Sequence, residues 1–395
     1  MSFKGFTYAL RPKPEQIAQM AQFAGVCRLV WNLALKQRQD HWRHYETKTG
    51  KRLNHVAQSR DLKVLRADYD FIRAVHYTPL QKTLEALEKA YQRAWKGLGG
   101  YPKPKRKGEK DAFSYSGREI SVEKLNRRWG RVRLPKIGWV KFRLTRPLRG
   151  KICEATVIRT AIGWQISIIC ETNEVTSDNG STVGIDRGVT VPVMLSDGTC
   201  YYLPVEIERH GKSAKKAQRI ASRRKRGSRR QAKAKRRVAA LKARQARARK
   251  HWAHKTTTDI ARKHGGVVVE ALRTRNMTAS AAGTNESPGT NVAQKRGLNR
   301  AILNVGWFQI ETMLAYKAAR FEKVSPSYSS QTCSSCGTVD KRSRESQAVF
   351  VCSTCGFRDN ADRNAAAVIL KRGNTPGVED AGYGSDEART GRAAA

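Results

Sequence analysis

From Arg209 to Lys250 the chain carries twenty lysines and arginines and not one acid. Alanine and glutamine fill the gaps, so the stretch can form helix, with an interruption at Gly227-Ser228. Like charges three and four residues apart repel one another on a helix surface. Such a segment cannot enter a core and is stabilised by a polyanion laid along it. Unbroken, it would span up to about 60 Å at the α-helical rise, comparable to two turns of a nucleic-acid duplex. The whole sequence leans the same way: 77 Lys+Arg stand against 33 Asp+Glu, a formal charge of +44 over 395 residues. A phosphate-rich partner is expected, nucleic acid before an anionic membrane surface. No apolar run approaches the ~20 residues of a membrane span, and the first residues lack a secretory apolar region. A cytoplasmic, nucleoid-associated and monomeric protein is expected, with no membrane partner.

In that setting cysteines are thiols or metal ligands. Cys27, Cys153, Cys170 and Cys200 are scattered singly among apolar or strand-like residues and read as core filler. The other four are spaced Cys333-x-x-Cys336 and, fifteen residues on, Cys352-x-x-Cys355, with Gly337 and Gly356 after each pair. Four thiolates so spaced can close a tetrahedral Zn²⁺ site, and a closed site is structural because it leaves no position for water. Zinc would hold together a ribbon of some thirty residues that has little core of its own.

Hydrophobic periodicity divides the rest. Phe3–Leu10 alternates as a strand. Ile17, Met20, Phe23, Val26, Val30 and Leu33 recur at helical spacing over Glu15–Tyr45, and further helices are expected over Val56–Ala67 and Thr78–Leu98. A basic connector follows, Gly97–Lys110. Phe113–Glu171 then reads as short antiparallel strands (Val132–Leu134, Trp139–Leu144, Ala155–Thr160, Trp164–Cys170), most simply a small β-barrel completed by the first strand. The helical block would be an insertion between its strands. After a polar linker, Glu171–Gly180, strands are expected at Val183–Asp186, Val189–Leu195 and Thr199–Pro204, with a hairpin turn at Ser196-Asp197-Gly198. Trp252–Lys263 continues the basic helix, Val267–Leu272 is a buried strand, Thr278–Thr290 is flexible by composition, and helices cover Leu298–Phe321 and Asn364–Lys371. The tail 373–395 has no periodic apolar face and is expected to be disordered.

Three acids stand where burial is costly. Asp186 ends the strand Val183-Gly184-Ile185, Glu270 ends Val267–Val269, and Asp362 opens the last helix. An acid inside an apolar strand is paired or binds metal. Two acids on neighbouring strands and a third on a packed helix describe an RNase H-like site, where carboxylates hold two Mg²⁺ ions that activate water and stabilise the leaving oxygen of a phosphodiester.

Taken together these motifs resemble the TnpB family, transposon-encoded RNA-guided nucleases ancestral to type V CRISPR effectors. The resemblance runs through nearly the whole chain: Cys27-Arg28-Leu29-Val30-Trp31-Asn32, Gly184-Ile185-Asp186-Arg187-Gly188, the Arg-rich helix ending in His254-Lys255, and Val269-Glu270-Ala271-Leu272 with Asn276-Met277. It continues through Asn291–Lys295, Gly306-Trp307, Ser330-Gln331-Thr332-Cys333 and Asp362-x-Asn364-Ala365-Ala366. It implies a multidomain α+β and α/β fold. A β-barrel wedge domain (1–13 and 99–175) would hold an inserted helical recognition domain (14–98). A RuvC-like nuclease (181–326 and 357–372) would follow, with an inserted zinc ribbon (327–356). The resemblance carries over Asp186, Glu270 and Asp362 as the three catalytic acids on Mg²⁺. It also implies a guide RNA, a double-stranded DNA target beside a short transposon-adjacent motif, and cleavage of both strands at one metal site. Departures are small: Ala271 replaces the usual Asp or Asn, and Val368-Ile369 the usual Asn-Ile. Gln81 matches a family position facing the adjacent-motif duplex, where a Gln can read adenine, with Lys103 and Lys105 as backbone contacts. Arg223, Arg224, Arg226, Arg229, Arg230, Arg236 and Arg237 of the basic run are candidate nucleic-acid contacts. The competing readings are a guide-directed DNA-binding regulator without cleavage and a compact type V CRISPR effector. A protein-guided nuclease or transposase of the same fold is disfavoured by the basic helix.

Overall fold

The computed structural model describes residues 2–172, 178–346 and 348–374. It divides into two compact units, Met1–Glu174 and Val175–Ala395. Most of the expected tail, from residue 375, and the middle of the expected linker, 173–177, lie outside the described residues. Gly373 and Asn374 belong to the last helix.

The first unit opens with strand β1 (Ser2–Arg11) and then goes helical: α1 (Pro14–His41) with a π-helical extension (Trp42–Glu46), α2 (Thr47–Thr49), α3 (His55–Asp68), α4 (Asp70–Arg73) and α5 (Tyr77–Trp95). Six strands follow: β2 (Ala112–Ser116), β3 (Ser121–Lys124), β4 (Trp129–Leu134), β5 (Gly138–Arg143), β6 (Lys151–Thr160) and β7 (Gly163–Thr172). They join β1 in one sheet of order β2-β6-β7-β1-β5-β4-β3. The helices therefore are an insertion after a strand that ends up in mid-sheet. Ser2–Ala9 of β1 pairs with β7, and Leu10–Arg11 switches to β5.

The expected barrel is not closed. Among the described residues the sheet is open, with β2 and β3 as its edges. These two strands follow each other through a single 3-10 turn, Gly117–Glu119. No ladder joins these two edges among the described residues. The alternating side chains Phe6, Tyr8 and Leu10 still point inward, meeting Met20, Phe23, Cys27 and Val30 of α1, Leu80, Leu84 and Leu87 of α5, and Ile166 and Ile168 of β7 in one core. Each such side chain contributes about 1.5–3 kcal/mol on burial. One polar knot crosses that core: buried Arg38 donates to Gln58 Oε1 at 2.8 Å and to Glu88 Oε2 at 2.7 Å, tying α1, α3 and α5.

The second unit has β8 (Thr182–Asp186), β9 (Val193–Leu195) and β10 (Cys200–Tyr201), then the basic helices α6 (Val205–Ser222) and α7 (Arg229–Lys263). Next come β11 (Gly266–Glu270), α8 (Thr274–Met277), α9 (Val292–Val305), α10 (Trp307–Ala315) and β12 (Arg320–Val324). The ribbon strands β13 (Val349–Val351) and β14 (Arg358–Asn360) precede α11 (Ala361–Asn374). The sheet order is β10-β9-β8-β11-β12, with β8, β11 and β12 parallel and β9 antiparallel to β8. The turn at Ser196-Asp197-Gly198 is present, closed by a Gly198 N–H to Leu195 O bond with Gly198 at φ +89°.

Three expectations shift. The second strand is confined to Val193–Leu195. The helix expected over Leu298–Phe321 is two helices, broken where Gly306 takes a left-handed φ of +77°, and its last residues form β12 instead. The basic run is a hairpin rather than one rod: α6 and α7 pack together antiparallel, with Gln245 Nε2 donating to Ile207 O at 3.2 Å. Small residues on α6, Ala214, Ala217 and Ala221, are among its buried ones, so the two backbones approach closely and the long cationic side chains are turned outward.

Close approach recurs where α11 lies on β8. A Cβ on Gly184 would sit 2.1 Å from Ala366 O and 2.6 Å from Leu370 N, both backbone atoms that cannot step aside. Overpacking of this kind costs about 3 kcal/mol. Gly184→Ala is therefore expected to lower the melting temperature of the second unit by roughly 6–12 °C, read by calorimetry; an unchanged transition would contradict the packing.

Candidate active site and metal centre

Parallel pairing of Val269 with Ile185 sets Glu270 and Asp186 side by side as the next residues of β11 and β8, at the carboxyl edge of the sheet. In open sheets with parallel strands ligands bind at that edge. Helix α11 packs on β8 and β11 and carries Asp362 in its first turn. Its start is fixed by Asn360, whose Oδ1 accepts from the Asp362 and Arg363 backbone N–H groups at 3.0 and 3.2 Å. Asp359 is occupied by Arg363 at 2.8 Å, so the acid that α11 presents to the sheet edge is Asp362.

Electrostatics show the three acids sharing one environment. Burial, reinforced by the charges of Glu270 and Asp362, pushes the Asp186 carboxyl up to about 7. Burial raises Glu270 and Asp362 as well. Ser329 hydroxyl donates to Glu270 Oε1, and Arg344 Nη2 stands 3.5 Å from Asp362 Oδ1; each opposes the rise. Neither Asp186 nor Glu270 has a salt-bridge partner among the described residues. Oxygen donors that repel one another, two of them with no salt-bridge partner among the described residues, fit a hard divalent cation. The acids do not form a single tight cage, however. Among the described residues the cysteine sulfurs alone are a group of three or more such ligand atoms all within 4.8 Å of one another.

Those sulfurs are Cys333, Cys336, Cys352 and Cys355. Cys333 and Cys355 are 3.8 Å apart, Cys336 and Cys352 3.6 Å. A tetrahedron with Zn–S bonds of about 2.3 Å has edges of about 3.8 Å, so the residues fit zinc. Hydrogen bonds from the side chain and backbone of Thr338 bring Cys336 down to about 6, close to the thiolate form a metal requires. The ribbon is tied to the acids through Asn364 of α11, fully buried: its Oδ1 accepts from Ser334 N at 2.8 Å and its Nδ2 donates to Thr332 O at 2.8 Å. Lys371 Nζ donates to Ser334 O. Cys27 and Cys170 are buried, while Cys153 and Cys200 are half-buried.

Sequence reasoning passes over Ser329, Arg344, Asn364 and Arg187. Ser329 and Arg344 lie in irregular segments with no periodic signal. Asn364 and Arg187 are visible only as motif neighbours of the acids.

The nucleic-acid candidates separate into two kinds. Arg223, Arg224, Arg226, Arg229, Arg230, Arg236 and Arg237 are all exposed, around the tip of the α6–α7 hairpin. There a groove of 410 Å³ has Ala217, Ile220 and Ala234 as its floor and Arg224, Arg230, Lys233 and Arg237 as its rim. Replacing those four rim cations by Gln is expected to weaken nucleic-acid binding and to reduce the slope of log K against log salt by about 3, at roughly 0.7–0.9 for each phosphate no longer neutralised. Titration at several salt concentrations checks it; an unaltered slope would remove the rim from the interface.

In the first unit Gln81 is half-buried on α5 and makes no side-chain hydrogen bond among the described residues, whereas Lys103 is exposed. Lys105 is half-buried, with its side chain over Trp31. Its Nζ sits 3.7 Å from the centre of the Trp31 ring and burial lowers its pKa. Asn32 clasps the Lys105 backbone at 2.8 and 3.0 Å, and Trp31 Nε1 donates to Lys103 O at 3.1 Å. The Trp31-Asn32 motif thus anchors the basic connector.

The chain is similar to known proteins. Residues 165–281 match the OrfB_IS605 model, described as a probable transposase; 307–369 match the Cas12f1-like TNB domain, and 1–47 the HTH_OrfB_IS605 helix-turn-helix domain. Over 355 residues the chain is 35% identical to "Putative RNA-guided DNA endonuclease InsQ" of Escherichia coli (strain K12), covering 88% of this chain and 86% of that one. A "Putative RNA-guided DNA endonuclease" from Streptomyces pristinaespiralis is 30% identical over 351 residues, covering 85% and 81%. The fold is similar to that in "Cryo-EM structure of the Cas12f1-sgRNA-target DNA complex", with a TM-score of 0.54 at 15% identity, over 91% of this chain and 83% of that one.

Proposed function

The chain belongs to the TnpB family of RNA-guided nucleases, and from that premise we propose that it is an RNA-guided DNA endonuclease whose second unit hydrolyses target phosphodiesters. The observation that carries the reading is the meeting of Asp186, Glu270 and Asp362 at one sheet edge, where burial and the charges of the other two raise the Asp186 carboxyl. Mg²⁺ bound there would supply Lewis-acid stabilisation of the phosphodiester and a water acidic enough to attack it.

The protein's own part is to hold the donors. Strand ends fix Asp186 and Glu270, the Ser329 bond fixes one Glu270 oxygen and leaves the other for coordination, and the first turn of α11 fixes Asp362. Arg344, 3.5 Å from Asp362, is a cation at the edge of a site that must accept a phosphate. Zinc on the four cysteines would be structural, since a closed sulfur site has no position for substrate.

In this reading residues 1–13 and 99–175 are the wedge, 14–98 the recognition helices, 181–326 and 357–372 the nuclease and 327–356 the ribbon. The hairpin arginines grip phosphates, and Gln81 reads a base of the transposon-adjacent motif. Base pairing with guide RNA chooses the target. Among the described residues no helix is long and apolar enough to cross a membrane.

The test is plasmid cleavage by ribonucleoprotein purified with its own RNA, the RNA sequenced to define the guide. Linearisation only with a matched target, an intact adjacent motif and Mg²⁺ is expected. Binding of the matched target without any strand break would establish the regulator reading instead, and cutting that survives RNase treatment would reject RNA guidance.

A further inference from the structure

Arg187 follows the first acid directly, yet its side chain is fully buried. A guanidinium is almost never buried without a dedicated set of acceptors. Here Nη1 donates to Glu311 Oε2 of α10 at 2.7 Å, and Nη2 donates to the backbone carbonyl of Glu270. Nε is buried with no partner. The backbone N–H of the same residue lies beside the Asp186 carboxylate and works against the rise that burial causes there. One residue therefore links two of the three acids: it follows Asp186 directly in the chain, and its guanidinium holds the main chain of Glu270. Glu311, 8% exposed, is in turn held by Lys323 of β12 at 2.5 Å. The Trp307 indole, on the same helix α10, donates to Gly188 O at 3.1 Å, pinning the chain just past Arg187.

As a structural device this network is costly. A buried ion pair is commonly no more stable than apolar residues of the same volume. What the pair supplies is geometry: a planar fork reaches two acceptors at fixed angles. The pairing of β8 with β11 stops at Ile185 and Val269, so at the acids themselves the guanidinium joins the two strands, while Met194 of β9 and Val324 of β12 pair with Asp186 and Glu270 on their outer sides.

We infer that Arg187, set by Glu311, is a positioning residue that fixes the spacing of Asp186 and Glu270 for divalent-cation binding. The inference rests on the nuclease reading for its consequence in cleavage, but its immediate effect is on metal affinity, which can be measured without cleavage.

Three variants separate positioning from stability. Arg187→Met alone leaves Glu311 held by Lys323 but without its buried guanidinium partner, and is expected to lower the melting temperature. The double variant Arg187→Met/Glu311→Met removes both charges and is expected to regain a melting temperature near wild type. Arg187→Lys keeps the ion pair with Glu311 but cannot span both acceptors. Each ribonucleoprotein is titrated with Mn²⁺, bound ion being read by its paramagnetic resonance signal, and then assayed for target binding and Mg²⁺-dependent cleavage.

The expected result is that the double variant and Arg187→Lys bind target like wild type, while their half-saturating Mn²⁺ rises at least about 10-fold and cleavage falls at least about 100-fold (about 1.4 and 2.7 kcal/mol). Folded variants with unchanged Mn²⁺ affinity would overturn the inference. Weakened Mn²⁺ binding in variants of a protein whose wild type does not cut would retain the positioning role and reject the nuclease reading.

Discussion

Asp186→Ala is expected to abolish guide-directed cleavage, by about 10³-fold or more as for removal of a principal charge-stabilising group, while target binding stays at the wild-type level. In the proposed reading, binding depends on hairpin cations and base pairing, which the substitution does not touch. The complementary variant, Asp186→Asn, tests the electrostatics. In the folded protein Asp186 titrates at about 7 against 3.8 for the free group, because it is buried beside Glu270 and Asp362. The folded state thus holds this proton more tightly than the unfolded state. Its contribution to stability is intact below the unfolded value and is lost as pH rises through the folded one. Without divalent cations the wild type should therefore lose stability between about pH 4 and 7, on the order of 2 kcal/mol after allowance for partial exposure. Asp186→Asn should escape this loss and melt roughly 4–8 °C higher at pH 8. Added Mg²⁺ should raise the wild-type melting temperature and leave the variant nearly unmoved. Equal melting temperatures at pH 8 without metal would show that the acids do not strain the fold.

Zinc removal is expected to have an effect of comparable size by another route. The ribbon's buried apolar residues are few, Phe350 with Cys333, Cys352 and Ala361, and Phe357 packs beside them. Without metal so small a cluster does not offset the chain entropy of some thirty residues. Its loss releases Ser334 and Thr332 from Asn364, and with them the first turn of α11 that carries Asp362. Cys352→Ser, or exhaustive chelation, should cut cleavage by about 100-fold or more, as expected when catalytic groups lose their alignment. If the α6–α7 hairpin holds RNA as proposed, that binding should persist. Metal analysis should find one zinc per wild-type chain and none in the variant. Full cleavage by a chain shown to be zinc-free would make the ribbon dispensable.

How much of this can be read from residues alone depends on whether the signal is local. The cysteine spacing is complete in itself, and four sulfurs do converge in the structure. Asp186 and Glu270 stand out because carboxylates interrupt apolar runs, and the parallel register then places them together. The hairpin is half legible: Gly227-Ser228 marks the break, but the antiparallel return depends on Ala214, Ala217 and Ala221 forming a smooth face, which twenty neighbouring charges obscure.

Strand β12 escapes a sequence reading because Arg320–Val324 follows a helical pattern without a turn signal, and it becomes a strand by pairing with β11. Barrel closure is over-read because strand periodicity says nothing about which edges pair. The place of Lys105 opposite Trp31 is a three-dimensional fact that its basic neighbourhood hides. The Glu311–Lys323 link and the Ser329 bond join residues whose separation along the chain hides them.

That Asp186, Glu270 and Asp362 jointly hold divalent metal beside DNA is the claim on which the rest depends. The most direct measurement is an anomalous-scattering map of the ribonucleoprotein with matched target and Mn²⁺. Two manganese peaks about 4 Å apart are expected between the three carboxylates, both lost in Asp186→Ala. Manganese bound elsewhere, or peaks indifferent to that substitution, would contradict it.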